Sequence, residues 1–375
     1  MPGIYVHIPF CKQACHYCDF HFSTSQSTRT EMIPALAKEI VLRKNYLADK
    51  NIQTVYFGGG TPGLLGEEEL TELTKTVFLN FVMQPDAEIT LETNPDDVDA
   101  EKLQLWKTTG INRLSIGIQS FNDNYLQWMN RAHDTQQAIR SVKMAQDAGF
   151  DNITIDLIYG IPGMNEKEWE KNLDTAFSMN VPHISSYCLT VEKGTALHHF
   201  VEKGQSMPID EETAARQFLL MQEKMEENGF IAYEISNYGK KNYFSRHNTS
   251  YWEGESYLGV GPSAHSFNGV SRQWNISHNR KYITALKEGK SFYETEILTP
   301  ANRYNEYIMT SLRTIRGINT GKTGEMMPGS KQATEDAIRQ MEKKGWMIKN
   351  GEGNYVLTPQ GKLFADKIAS DFFLL

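Results

Sequence analysis

The chain is poor in cysteine: it has four among 375 residues, and three of them lie between positions 11 and 18. A disulfide framework is excluded, because those spacings are short and an intracellular thiol pool would keep them reduced. No apolar run approaches the roughly 20 residues of a membrane span, so no transmembrane segment is expected. Met1-Pro2-Gly3-Ile4 lacks the basic and apolar regions of a secretion signal, and the expected location is the cytoplasm. Positive charge is also scarce. A net charge of −8 leaves no basic face for nucleic acid, which is not an expected partner. Nucleophile triads, Walker loops, zinc-protease helices, long repeats and low-complexity segments are all missing.

What is present is an ordinary globular composition, 40% hydrophobic and 22% charged. The length suits one barrel-sized domain with a smaller appendage. Short β-rich runs at 4–8, 54–57, 88–91, 113–118, 152–158 and 183–189 alternate with amphipathic stretches such as 31–43, 67–81, 135–148 and 166–179. Such β-α units predict a parallel sheet with crossover helices. Each strand is followed at once by unusual residues: the cysteines, then Gly58-Gly59-Gly60-Thr61-Pro62, Glu92-Thr93-Asn94-Pro95, Gln119-Ser120, Tyr159-Gly160-Ile161-Pro162 and 187–190. A doubly wound sheet gathers its chemistry at one switch point, whereas a barrel gathers it at many strand ends. The expectation is therefore a partial (β/α)6 barrel over residues 1–240.

A further helix is predicted over 211–228, followed by an irregular stretch rich in aromatic and polar side chains. A connecting region spans 241–300. Over 301–375, helical patterns at 305–313 and 332–344, a hairpin turning at Gly351 and Gly353, and a last helix over 359–373 predict a smaller α+β, winged-helix-like domain.

Cys11-x3-Cys15-x2-Cys18 supplies three thiolates from one loop. A [4Fe-4S] cubane bound by three thiolates keeps one iron open to a small molecule. The plainer alternative is zinc, with His16 or His21 as fourth ligand, although zinc sites usually pair two near ligands with two distant ones. The glycines at 58–60 offer backbone without side chains, suited to a ligand's amino and carboxylate groups, or else only a turn. Glu92 at a strand end could take a ribose hydroxyl or an amino group. Gln119 and Arg131 are individually unremarkable, with Arg131 read as a helical and solvated arginine, whereas Asp156 lies in an apolar run where an unpaired charge is costly. His247-Asn248-x2-Tyr251-Trp252 joins an imidazole, the usual protein ligand of haem iron, to two aromatic faces. A loop with packed aromatics is the plainer reading. Cys188, in an apolar strand, reads as a small core residue.

Together, Cys-x3-Cys-x2-Cys after the first strand and Gly-Gly-Gly-Thr-Pro after the second resemble the radical-SAM (S-adenosylmethionine) superfamily. Residues 5–10, 92–95, 117–121 and 156–162 narrow this to the oxygen-independent coproporphyrinogen III oxidase-like group, and the likeness runs nearly end to end. Two branches compete there. One is a coproporphyrinogen dehydrogenase of porphyrin biosynthesis, and the other is the HemW-type haem chaperone. Asp19-Phe20 stands where the dehydrogenase has a further cysteine, the first strand begins at Ile4 without that branch's N-terminal extension, and 247–252 match the chaperone's His-Asn-x-x-Tyr-Trp signature. The chaperone is the expected branch. The resemblance implies a [4Fe-4S] cluster on Cys11, Cys15 and Cys18 and SAM near Tyr5, Gly60, Thr61 and Glu92. Gln119, Arg131 and Asp156 stand at positions that hold a second SAM in the dehydrogenase. Haem is implied at His247, Tyr251 and Trp252, with an electron donor to the cluster and acceptor apo-haemoproteins as partners. Both branches share the cluster motifs, which leaves SAM turnover open.

Overall fold

A computed structural model describes residues 2–374; Met1 and Leu375, the outermost positions of the expected domains, lie outside the described residues. Six strands, β1 (Gly3–Ile8), β2 (Asn51–Gly59), β3 (Val82–Thr93), β4 (Arg113–Gln119), β5 (Asn152–Tyr159) and β6 (His183–Cys188), run parallel in strictly sequential order. A doubly wound sheet would reverse that order part-way along, so the arrangement is a partial (β/α)6 barrel. The sequence dictates which face turns inward. Ile4, Val6, Ile8, Val55, Phe57, Leu91, Leu114, Ile116, Ile153 and Ile155 are buried under the helices. The alternate residues, among them Tyr5, His7, Thr54, Tyr56, Glu88, Thr90, Glu92, Arg113, Ser115, Thr154, Asp156, His183 and Ser185, form the other face, and the lumen is therefore polar. The outer helices predicted over 135–148 and 166–179 are present. Thr135–Asp147 and Glu166–Ser178 open on reciprocal side-chain caps from Asp134 with Gln137 and Asn165 with Glu168.

The stretch expected to be irregular is instead ordered. β7 (Ile231–Ala232) and β8 (Asn237–Gly239) extend the sheet beyond β6, while β9 (Tyr257–Val260) pairs parallel with β1, Gly3 opposite Tyr257. From β9 the sheet continues antiparallel through β10 (His265–Phe267), β11 (Ser271–Asn275) and β12 (Tyr293–Ile297). These strands are short, and β9 packs against the His265 backbone only because Gly259 has no Cβ, which would lie 1.9 Å from His265 O, so alternation alone does not reveal them. The segment 246–252 is a helix, Arg246–Trp252, capped by the Ser245 hydroxyl accepting from Asn248 N at 3.3 Å. Helix Asn279–Glu288 likewise follows no pattern noted in the sequence.

The C-terminal segment builds its own small core from Tyr304, Ile308, Leu312, Ile338, Met347, Leu357, Ile368 and Phe372. It comprises helices Pro300–Leu312, Thr320–Met326 and Ser330–Lys343, the hairpin β13 (Met347–Lys349) and β14 (Tyr355–Leu357), and a last helix that breaks into Pro359–Lys362 and Ala365–Phe372. That is the winged-helix-like order. Ile315 N donates to Tyr233 O at 3.1 Å, joining it to the barrel.

A buried carboxylate ties the antiparallel extension to the barrel. Glu39 is fully buried in helix Arg29–Leu42, where Oε1 accepts from Arg43 Nη1 at 3.2 Å and Asn275 Nδ2 at 2.9 Å. Its Oε2 accepts from Gly261 N at 2.8 Å and from the Tyr282 hydroxyl. Removing the guanidinium leaves a buried carboxylate without its counter-charge, a loss of about 3–5 kcal/mol. Arg43→Met should lower the urea midpoint of the apo protein accordingly, and adding Glu39→Gln should restore part of it. An unchanged midpoint in the single variant would show that the network contributes nothing.

Candidate functional site at the barrel mouth

The loop that leaves β1 is fastened on both sides. Cys11 N donates to Ser23 O at 3.1 Å and Ser23 N to Pro9 O at 2.9 Å, while His16 N reaches Met129 O at 3.1 Å. On the β2 side, Gly60 N donates to Ile8 O at 2.8 Å and Thr61 N to Phe10 O at 2.7 Å. A Cβ at Gly60 would meet Phe10 O at 2.6 Å, so this glycine serves the approach of the cysteine loop. It is Gly58 that opens the lumen, where a Cβ would meet the Tyr56 and Tyr5 rings at 2.8 and 2.9 Å.

Cys11, Cys15 and Cys18 are free thiols, partly exposed. Two donors already point at sulfur: the Thr61 hydroxyl at 3.6 Å from Cys11 Sγ and Arg131 Nη1 at 3.2 Å from Cys15 Sγ. Such donors tune an iron–sulfur centre. Burial pushes the Cys11 thiol up to about 11 and the Cys18 thiol up to about 12, so both carry protons until a metal displaces them. Among the described residues, the one trio of ligand atoms lying within 4.8 Å of one another is His198, His199 and Glu202. The three sulfurs are spread wider than the separation of about 3.8 Å that a single tetrahedral zinc with Zn–S near 2.3 Å imposes. His16 Nδ1 is engaged by Trp128 O at 2.8 Å and His21 Nε2 by Asn279 Oδ1 at 2.7 Å. The donor set therefore fits a cluster and not one zinc ion.

Arg131 lies between helices, not within one as its sequence context suggested, and it is the keystone of this corner. Its Nη2 donates to Asn94 Oδ1 and to Gly117 O, each at 2.6 Å, and Asn94 Nδ2 donates to Thr61 Oγ1 at 3.2 Å. Gln119 closes β4 at φ +72°, a left-handed backbone rarely adopted by side chains other than glycine or asparagine. Asn94 was legible only as a turn residue.

Glu92 stands inside the lumen, its Oε1 accepting from the Tyr56 hydroxyl at 2.7 Å and its Oε2 from Gly59 N at 3.1 Å. Burial pushes its carboxyl up to about 7, against the pull of the Tyr56 bond, and Asp156 adds like charge. Asp156 is itself raised to about 6 by burial. Tyr5 OH hydrogen-bonds His7 Nδ1 at 3.1 Å, and His7 Nε2 contacts His21 O at 2.8 Å. Sequence reasoning passed over His7 and Tyr56; their signal was the two-residue alternation that places them beside Tyr5 and Gly58.

The segment 247–252 lies at the opposite, N-terminal end of the strands. His247 plugs the lumen floor, where its Nδ1 hydrogen-bonds Thr54 Oγ1 at 2.7 Å and its Nε2 hydrogen-bonds Tyr251 OH at 2.7 Å. Its ring stacks on Tyr56 with centroids 5.0 Å apart, and burial lowers its basicity to about 3. Tyr251 and Trp252 instead line a cleft of about 910 Å³ that extends to the C-terminal segment. The structure thus brings the three cysteines, Thr61 and Arg131 together at the mouth, with Glu92 below them in the lumen, and holds His247 apart from both. Cys188 is exposed at the end of β6, not a core residue, because its strand stops there.

Fold and site define a radical SAM barrel, and the sequence model of the Radical SAM superfamily matches residues 5–176. The Heme chaperone HemW of Bacillus subtilis (strain 168) is 35% identical over 379 residues, covering 99% of this chain and 99% of that one. That of Mycobacterium tuberculosis (strain ATCC 25618 / H37Rv) is 33% identical and covers 98% and 93%. Among solved structures, the coproporphyrinogen III oxidase HemN of Escherichia coli superposes with a TM-score of 0.85 over 99% of this chain and 90% of its own, at 22% identity, which shows a common fold. The chain belongs to the HemW family of haem chaperones. No helix among the described residues is long and apolar enough to cross a membrane.

Exchange of Cys11, Cys15 or Cys18 for Ala should each abolish bound iron and sulfide after anaerobic reconstitution, while Cys188→Ala keeps both. Full iron in a triple variant would remove the cluster assignment.

Proposed function

We propose that the protein binds haem and passes it to acceptor apo-haemoproteins, and that its barrel carries a SAM-ligated [4Fe-4S] cluster at the mouth on Cys11, Cys15 and Cys18. Full-length similarity to proteins described as haem chaperones supports this. The observation that carries it is the placement of Tyr251 and Trp252 on an open cleft at the far end of the barrel from the cysteines. A porphyrinogen undergoing radical chemistry would need to lie at the mouth, whereas a cargo to be handed on is best held where an acceptor can reach it.

At the mouth, Tyr5, the 58–61 backbone and Glu92 are proposed to hold SAM. Cys11, Cys15 and Cys18 would hold the cluster, which, once bound and reduced by an electron donor, would supply an electron for SAM cleavage. Arg131 holds the loop by gripping Cys15 Sγ, Asn94 and Gly117 at once through Nη1 and Nη2, while its buried Nε keeps a donor without a partner. Gln119 and Asp156 border the same lumen and remain the residues that a second SAM would use. His247 acts from below as a positioning residue: with both ring nitrogens bonded, the contribution its geometry supports is to fix the Tyr251 hydroxyl.

A ligand cation or hydroxyl on Glu92 needs the carboxylate. Glu92 takes up a proton as pH falls through about 7, and the anion fraction then drops about tenfold per pH unit. SAM affinity measured by calorimetry should therefore weaken from pH 8 to pH 6, and Glu92→Gln should bind weakly with a flat profile. A wild-type affinity independent of pH would remove Glu92 from the site.

The functional reading is tested on one anaerobically reconstituted preparation. Haem titration should saturate, coproporphyrinogen III should not be decarboxylated, and His247→Ala should weaken haem binding by releasing the Tyr251 hydroxyl, with the iron–sulfur cluster retained. Conversion of coproporphyrinogen III to protoporphyrinogen IX without a saturable haem site would replace the chaperone with the dehydrogenase.

A further inference from the structure

The cleft lined by Tyr251 and Trp252 has a chemistry of its own. Its opposite wall comes from the C-terminal segment, through Arg303, Tyr307, Met309, Arg316 and Lys322. At about 910 Å³ it falls within the range of roughly 300–1,000 Å³ typical of small-molecule sites. Two acids of the wall are already neutralised: Glu306 accepts from Arg272 Nη2 at 3.0 Å, and Glu253 is paired with Arg316. Two cations are not. Arg303 has no side-chain partner among the described residues, and Lys322 Nζ lies only over the Tyr307 ring, 4.7 Å from its centroid. Glu352, a further acid of the wall, sits on the exposed turn between β13 and β14, and Glu255, the fourth, has a partner of its own. Three buried donors lining the cleft, Thr249 Oγ1, Trp252 Nε1 and Arg272 Nε, also lack hydrogen-bond partners. Buried polar groups without partners are rare in folded proteins. Flat aromatic faces, two free cations and three unsatisfied donors together describe a planar, apolar ligand carrying two carboxylates.

We infer that this cleft is the tetrapyrrole seat, with the two propionates on Arg303 and Lys322 and the macrocycle against Trp252 and Tyr307. The inference rests on the haem-chaperone reading and adds to it a site that His247 does not line. It follows that the porphyrin plane and carboxylates, and not iron ligation by His247, hold the cargo.

The test uses the full-length reconstituted protein with haem, metal-free protoporphyrin IX and protoporphyrin IX dimethyl ester, followed by absorbance and porphyrin fluorescence. Haem and the metal-free porphyrin should both saturate, and the dimethyl ester should bind at least about tenfold more weakly. Arg303→Gln with Lys322→Gln should weaken the two diacids by about tenfold or more, the loss expected for charge-assisted bonds. Lys143→Gln, far from the cleft on an exposed ion pair, should leave both affinities unchanged, and iron and sulfide content should stay at the wild-type level in every variant. Haem binding without binding of the metal-free porphyrin, or affinities indifferent to the double variant, would overturn the cleft assignment while the chaperone reading stands. Absence of saturable haem binding in the wild type would instead overturn that reading as well.

Discussion

The structure depends on a barrel that is polar inside. Parallel strands bury both faces, and here the inward residues of β1 to β6 are hydroxyls, carboxylates, imidazoles and a guanidinium, each of which must find a partner away from bulk water. At the floor the partners come from outside the six β-α units. Glu88 lies 3.8 Å from Arg113 Nε and accepts from the backbone N–H groups of Arg246 and His247 at 3.2 and 3.1 Å. The acid thus neutralises a buried arginine and caps the helix that closes the barrel, an arrangement favoured by the positive end of that helix. Thr154, His183 and Tyr233 continue the same chain of bonds, His183 Nε2 meeting Tyr233 OH at 2.8 Å.

With the floor sealed in this way, the mouth is free to be open. The cysteine loop is held by backbone bonds to Ser23 and Met129, by Gly60 beneath it and by Arg131 beside it, and burial in the lumen below raises the carboxyl of Glu92 to about 7. The two ends are not independent in space. Glu92 bonds Tyr56, Tyr56 stacks on His247, and His247 bonds Tyr251, whose ring meets Tyr257 with centroids 4.5 Å apart at the cleft. Mouth and cleft therefore share a continuous line of side-chain contacts through the lumen, and the residues that looked like an axial-ligand motif are part of that line.

Much of this was legible in order along the chain. Short β-rich runs mark β1 to β6, amphipathic stretches mark the outer helices, and three cysteines in one short loop after the first strand mark a candidate metal site before any coordinate is known. The elements that escaped were those whose stability is not local. β9 to β12 are short strands that exist because β1 offers a free edge and Glu39 anchors their turns, and helix Arg246–Trp252 exists because Glu88 caps it across the barrel.

The sequence by itself determined the chemistry available: which thiols lie together, which strand ends carry polar side chains, and that the chain follows the radical SAM pattern of one family. The tertiary structure alone decided what each group faces. Nothing in the residues 247–252 shows that the imidazole turns into the lumen while Tyr251 and Trp252 line the cleft, because which face of a helix turns inward is set by what the helix packs against. Nothing around Arg131 shows that its guanidinium grips a cysteine, since its partners lie 14, 37 and 116 positions away. Local periodicity records burial, but the partner of a buried charge is fixed only when strands distant in sequence close around it.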